Sequence, residues 1–209
     1  MRIYDYSGGF PVKQPEDFHA FMRRLYDKSL IINRSNQRWK YSDQASELFN
    51  NVVPKIKKNY KSRIPDLSDL DILILRDQLI ALLFATEGNL KDKVILDLGC
   101  GCKNAPDIVW NGIKNRYEPW LCRVLHELGA HSIGIDSRNL EGEVFEHHKV
   151  YLSKPDSLSF LKSKSVDVAN AHYLFSSTEN SPFGIDLEIL VPQLKRIVKP
   201  KGAFVYIKD

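Results

Sequence analysis

One stretch of the chain constrains the fold more than any other, the apolar run Lys93–Leu98, which carries an acid and passes directly into a Gly-Cys-Gly turn. A short, nearly continuous apolar run is typical of a strand buried on both faces of a parallel sheet. Glycine lets the backbone turn sharply and lets a ligand approach the main chain. The stretch therefore predicts a buried strand followed by a ligand-binding loop, whose central residues are Asp97, Gly99, Cys100 and Gly101.

The rest of residues 91–209 alternates strand-like runs with helical patterns. Helices are predicted between Pro119 and Gly129 and over Asp186–Val198, where Pro192 is expected to kink the helix or to start a new one. The alternation predicts an α/β fold, a doubly wound parallel sheet with the strand order 3-2-1-4-5. The further strands are predicted at Ser132–Asp136, Lys149–Leu152, Val166–His172 and Gly202–Lys208.

Residues 1–90 differ in character and are predicted to form a helical N-terminal extension, or lid, packed against a domain of residues 91–209. Apolar residues recur at helical spacing over Pro15–Leu30. Five cations fall between Lys55 and Arg63, with an interleaved tyrosine. A solvated helix end is the usual explanation of such a run, and contact with RNA is the alternative that stays open.

Composition excludes several classes of protein. The 209 residues are 43% hydrophobic and 27% charged, the balance of a globular chain that buries its own core. The longest apolar window is interrupted by Arg76 and Asp77, so no transmembrane segment is expected. Three cysteines and the lack of a signal region in the first ten residues favour a cytoplasmic protein with reduced thiols. A net charge of +4 is too small to indicate nucleic-acid binding by itself.

A second acid, Asp136, ends the predicted strand that follows the glycine turn. Ligands of doubly wound sheets bind at the carboxyl ends of the strands, where such an acid accepts hydrogen bonds from ribose hydroxyls. No metal site is predicted, because Cys100 and Cys102 lack the spacing of zinc ligands and Cys122 falls on an apolar helix face.

The two acids and the glycine turn resemble the motifs of the class I S-adenosylmethionine-dependent methyltransferases, over about residues 90–209. The first motif of that family is an acid followed by Gly-x-Gly-x-Gly, which Asp97 to Gly101 matches, with Lys103 in place of the third glycine. The resemblance implies a Rossmann-like fold, with S-adenosylmethionine as cofactor and S-adenosylhomocysteine as product. It implies that the glycine turn passes under the amino-acid end of the cofactor, that Asp97 helps to place this end, and that Asp136 holds the ribose.

The resemblance implies further site residues. Asp156 and Ser157 are the nearest match to the adenine side of the pocket, and Ser137 and Asn170 are further candidates for cofactor contacts. His172 ends the predicted fourth strand, beside the methyl acceptor in the family. An unperturbed imidazole titrates near neutral pH, so His172 is a candidate general base, and a buried or capping histidine is the equally open alternative.

The chain departs from the family in two further ways. From Gly101 to Asp136 there are 35 residues, against roughly 20 in a compact unit, which places an insertion at Asn104–Glu118. The family sheet continues with an antiparallel hairpin, and none is apparent after the last predicted strand. The segment Arg2–Tyr6 is a candidate to cover the open edge, which would otherwise invite pairing with a second chain.

The resulting prediction is a methyltransferase that uses S-adenosylmethionine and an unknown acceptor. A small molecule is slightly favoured, because the charge is modest and Asn170 is followed by Ala-His-Tyr rather than by the Pro-Pro-aromatic of amide N-methyltransferases. Three alternatives stay open. They are a non-catalytic cofactor-binding partner subunit, an RNA-binding protein or RNA methyltransferase using the basic N-terminal segment, and a nicotinamide dehydrogenase, whose fingerprint needs glycine where Asn104 stands.

Overall fold

The computed structural model of the chain describes residues 1–5, 31–35, 38–41, 89–102, 108–110, 113–115, 118–138, 141–175 and 185–208, with 75, 78, 79, 81–83 and 85–87 of a helical segment. Two helices have bounds in these ranges, α1 at Trp120–Glu127 and α2 at Leu187–Ile197. The strands are β1 Arg2–Asp5, β2 Ile31–Ser35, β3 Arg38–Tyr41, β4 Val94–Leu98, β5 Ile108–Trp110, β6 Ile113–Asn115, β7 His131–Asp136, β8 Glu146–Lys149, β9 Val166–Phe175 and β10 Val198–Lys208.

The main sheet has six strands in the order β1-β10-β9-β4-β7-β8, and every pairing in it is parallel. Numbered along the chain from β4, the strands β8-β7-β4-β9-β10 stand in the order 3-2-1-4-5. The observed order differs from the predicted one by the addition of β1 beside β10. The fold is a Rossmann-like α/β fold, as the alternation of strands and helices predicts.

Strand β1 covers the β10 edge of the sheet, which confirms the expectation for Arg2–Tyr6 over residues Arg2–Asp5. The ammonium of Met1 donates to the carbonyl of Pro200 at 2.9 Å. The Arg2 guanidinium donates to two further carbonyls, those of Ala85 and Lys201, both at 3.1 Å. The predicted domain boundary near residue 90 stays a prediction. Residues Arg2–Asp5, which belong to the predicted N-terminal extension, lie in the main sheet.

One local prediction is wrong. Strand β8 lies at Glu146–Lys149 rather than at Lys149–Leu152, because its pairing with β7 ends where Asp136 aligns with Lys149. The apolar run beyond it enters a series of turns instead. Helix α2 continues through Pro192, so no new helix starts there, and a kink at Pro192 stays a prediction. Its N-cap is Asp186, whose carboxylate accepts a hydrogen bond from the Glu188 N–H at 2.7 Å.

Two antiparallel hairpins were not predicted, β2 with β3 and β5 with β6. The second lies within the insertion at 104–118. The hydrophobic core fills the space between the main sheet and α2 and includes side chains of β4, β7, β9 and β10. Among the described residues, no helix has the length and apolar character needed to cross a membrane. The core residues with no exposed surface include Leu96, Leu98, Ile135, Leu158, Ala169, Leu190, Leu194 and Phe204.

Candidate functional site

The glycine turn follows β4 and is tied to the neighbouring strand by backbone hydrogen bonds. The N–H groups of Gly99 and Cys100 both donate to the carbonyl of Ile135, at 2.7 and 3.0 Å. Gly99 has a φ of 68° and Gly101 a φ of 83°, in the left-handed region that favours glycine. A Cβ on Gly99 would also lie 2.4 Å from Leu174 Cδ2. The turn therefore needs glycine for its backbone conformation and for its packing.

Asp136 closes the turn from the side of β7. One carboxylate oxygen accepts from the N–H of Gly101 at 3.1 Å, and the other accepts from the N–H of Arg138 at 3.0 Å. A carboxylate oxygen carries two lone pairs, so each oxygen retains an acceptor position. Asp136 and the next residue, Ser137, are both half-buried, and a cofactor contact of Ser137 stays a prediction. The glycine turn and the acid at the end of β7 are thus joined by one hydrogen bond.

Asp97 lies under the turn with 3% of its surface exposed. Asn170 Nδ2 donates to one of its oxygens at 2.8 Å, and the Cys122 thiol donates to the other at 3.7 Å. Burial raises the pKa of Asp97 to about 7, and the nearby charge of Asp136 adds to the rise, while the hydrogen bonds from Asn170 and Cys122 oppose it. The carboxyl group therefore changes its charge near neutral pH.

The three cysteines are buried, form no disulfide bond and cluster in and around the turn. Burial raises the pKa of the Cys100 and Cys122 thiols, so both remain protonated near neutral pH. Phe145 completes this cluster. A Cβ on Gly134 would lie 2.6 Å from the Phe145 ring and 2.9 Å from Cys100 Sγ, so glycine is needed in β7 at this point.

His172 lies two residues beyond Asn170 in β9, so both side chains project from the same face of the strand. The imidazole is half-buried. Burial lowers the pKa of His172 to about 4, which leaves the ring neutral near neutral pH.

Asp156 and Ser157 occupy the series of turns after β8. Ser157 is buried, and its hydroxyl donates to Gln193 Oε1 of α2 at 3.3 Å. The same oxygen accepts from the N–H of Leu158 at 2.8 Å. Asp156 is exposed, and its carbonyl accepts from the N–H of Ser159 at 2.9 Å. These contacts connect the turns to α2, and a role of either residue beside adenine stays a prediction.

Sequence reasoning missed a buried ionic cluster next to the site. Arg123 of α1 binds Glu118 and Glu143, and all three residues are buried. The available signal was an arginine within the apolar first part of the helix, between Cys122 and Val124. No pattern in the neighbouring sequence marks Glu118 and Glu143 as its partners.

Other predicted features lie outside the described residues. The cation run between Lys55 and Arg63 is among them, so RNA contact through it stays a prediction. Within the insertion, the description covers β5, β6 and Glu118.

No family model matches the chain, and no curated protein matches it. Among solved structures, the chain is similar to the crystal structure of a selenomethionine-substituted CurJ carbon methyltransferase, at 12% sequence identity and a TM-score of 0.40. The similarity covers 88% of this chain, which spans 58% of the length of the other.

Proposed function

We propose that this chain binds S-adenosylmethionine at the carboxyl ends of β4 and β7 and is a methyltransferase. The observation that carries the proposal is the hydrogen bond from the Gly101 N–H to the Asp136 carboxylate, which joins the glycine turn to the acid of the next strand. In doubly wound folds, a glycine turn and an acid at the end of the second strand are the elements that bind a nucleoside.

The ribose side of the proposed pocket is built from Asp136. Its two oxygens are oriented by the N–H groups of Gly101 and Arg138, and each oxygen retains an acceptor position. Two neighbouring ribose hydroxyls are a pair of donors that matches this pair of acceptors. Asp136 therefore fits the ribose of S-adenosylmethionine.

The amino-acid side is built from Asp97 and the glycine turn. Asp97 is held by Asn170 and Cys122, and burial raises its pKa to about 7. A cation next to a buried carboxyl group favours the ionised form. The ammonium of a bound methionine group is such a cation, so we expect the bound ligand to stabilise the Asp97 carboxylate.

S-adenosylmethionine, when bound, supplies a methyl group activated by the positive charge on sulfur. The chain has to orient the acceptor in line with this group, to exclude water and to receive a proton where the acceptor releases one. We assign the last task to His172, because it is the titratable side chain that follows Asn170 on the same face of β9. Burial lowers its pKa to about 4, so the bound acceptor has to raise this pKa for the ring to act as a general base near neutral pH. A small molecule is the proposed class of acceptor.

Calorimetry with S-adenosylhomocysteine tests the proposal directly, on the wild type and on Asp136→Ala. We expect micromolar binding that the substitution weakens by about tenfold or more, which corresponds to about 1.4 kcal/mol. Asp167→Ala is the matched control. Asp167 also accepts a backbone hydrogen bond, from the Val94 N–H at 3.0 Å, but at the opposite end of β4.

The results separate the alternatives. Absence of binding by folded, ligand-free protein would overturn the proposal, and nicotinamide cofactors and RNA would be tested next. Binding of S-adenosylmethionine without turnover across an acceptor screen would favour a non-catalytic partner subunit instead of an enzyme.

A further inference from the structure

The ionic cluster around Arg123 joins α1 to the segment between β7 and β8. Arg123 has no exposed surface, and its guanidinium donates to both oxygens of Glu143, at 3.0 and 2.6 Å. It also donates to Glu118, immediately before the helix, at 3.0 Å. The Arg123 Cζ atom lies 4.8 Å from the centre of the Trp120 ring. Bidentate binding and stacking fix the guanidinium in one orientation.

Stability alone is a weak explanation of this cluster. Two carboxylates and one guanidinium leave water together, and the desolvation of such groups can exceed their mutual attraction. Apolar side chains of similar volume often give equal or greater stability at such sites. A buried ion network does, however, select one relative placement of the segments that carry it, since any other placement leaves charges without partners.

The segments placed here reach the glycine turn. Glu143 is two residues before Phe145, which packs on Gly134 and on Cys100 in the turn itself. On the other side, Arg123 follows Cys122, whose thiol donates to Asp97. The chain thus leads from the cluster into both sides of the proposed cofactor pocket, within two residues of Glu143 and one residue of Arg123.

We propose that Arg123 is a positioning residue for the cofactor pocket. By holding Glu143, it keeps Phe145 against Cys100 and thereby sets the conformation of the glycine turn before the nucleoside ligand binds. The link to cofactor affinity rests on the proposed function, whereas the link to the turn is independent of any ligand.

The test replaces the whole cluster by apolar side chains, as Arg123→Met/Glu118→Leu/Glu143→Leu, so that no buried charge or unpaired amide remains. We expect its urea midpoint to stay close to that of the wild type and its affinity for S-adenosylhomocysteine to fall by about tenfold. The control is Lys199→Met/Asp167→Asn, which removes the 2.8 Å ion pair at the opposite end of the strands and should leave the affinity unchanged.

Amide hydrogen exchange gives a readout that does not depend on a ligand. The N–H groups of Cys100 and Gly101 are bonded to Ile135 and Asp136. In the charge-free variant we expect their exchange to be about tenfold faster, with the exchange of β9 and β10 unchanged. Unchanged exchange at the turn would overturn the proposal, whether or not the ligand binds.

The affinities distinguish this proposal from the proposed function. If the wild type does not bind S-adenosylhomocysteine, the proposed function fails and the exchange data alone decide on Arg123. If the wild type binds and the charge-free variant binds within about twofold of it, the positioning role is overturned. Should the charge-free variant not fold, Arg123→Lys replaces it, because lysine keeps the charge and loses the bidentate geometry. The same two measurements on Arg123→Lys then have the same meaning.

Discussion

Asn170 donates a hydrogen bond to Asp97 at 2.8 Å, and the two residues are direct partners in the pairing of β9 with β4. An amide and a carboxyl group thus face each other across two central strands of the sheet. This contact connects the acid of the glycine turn with the strand that carries His172. The ionisation of Asp97 is therefore a property of the sheet as well as of the loop.

The stability of the protein should depend on the ionisation of Asp97. Burial raises the pKa of Asp97 from 3.8 to about 7, so the folded chain holds a proton that the unfolded chain releases between these values. Stability is then highest below about pH 4 for this group and falls as the pH rises through 7. Relative to the wild type, Asp97→Asn should gain up to about 4 kcal/mol between pH 4 and pH 8. Urea unfolding at both pH values measures the gain, and a constant difference would contradict it.

Ligand affinity should depend on the same proton. Under the proposed function, ionised Asp97 faces the ammonium of the methionine group, so binding of S-adenosylhomocysteine should tighten as the pH rises through about 7. The dependence should be absent in Asp97→Asn, which also binds more weakly at high pH. Calorimetry from pH 6 to pH 8 tests both expectations. An equal slope in the two proteins would assign the pH dependence to another group.

The stability of the protein at acidic pH should depend on His172. Burial lowers the pKa of His172 from 6.5 to about 4, so the unfolded chain takes up a proton that the folded chain excludes between these values. The contribution is complete above pH 6.5 and is lost as the pH falls through 4, with a limit of about 3 kcal/mol. His172→Gln should retain more of its own stability at pH 4.5 than the wild type does. Parallel losses in the two proteins would contradict the prediction.

The proposed catalytic role of His172 has its own test. His172→Asn should lower the rate of methyl transfer by about a hundredfold, in the range for a general base, and should leave the affinity for S-adenosylhomocysteine unchanged. Single-turnover kinetics and calorimetry provide the two values once an acceptor is known. A full rate in the variant would show that the acceptor releases its proton without this residue.

Gly134 should be sensitive to a single methyl group. A Cβ there would lie 2.6 Å from the Phe145 ring, so Gly134→Ala should destabilise the protein by about 1–3 kcal/mol. Adding Phe145→Leu should restore part of the lost stability, because the smaller side chain leaves space for the new Cβ. Phe145→Leu alone is the control for the cavity. If the double variant is no more stable than Gly134→Ala, a different contact limits the space.

The sequence predicted the local parts of this site well. The glycine turn and Asp136 follow from short motifs, because a buried strand, a turn and an acid are each specified by neighbouring residues. The Asn170–Asp97 bond joins residues 73 positions apart, and the Arg123–Glu143 bond joins residues 20 positions apart on separate elements. Such pairings are set by packing and leave no periodic pattern. Strand β8 was misplaced because the apolar run after it looks more strand-like than the polar strand itself.

The parallel pairing of β1 with β10 has a consequence for how the chain is made. Met1 and Pro200, joined by a hydrogen bond beside this pairing, are 199 positions apart. During synthesis β1 leaves the ribosome long before β10 is made. The backbone groups of β1 therefore lack their β10 partners while the central strands form. Contacts of such separation are slow to form. Pairing of β1 is therefore a late event that has to follow synthesis of β10, and an intermediate that lacks it would present the β10 edge to other molecules.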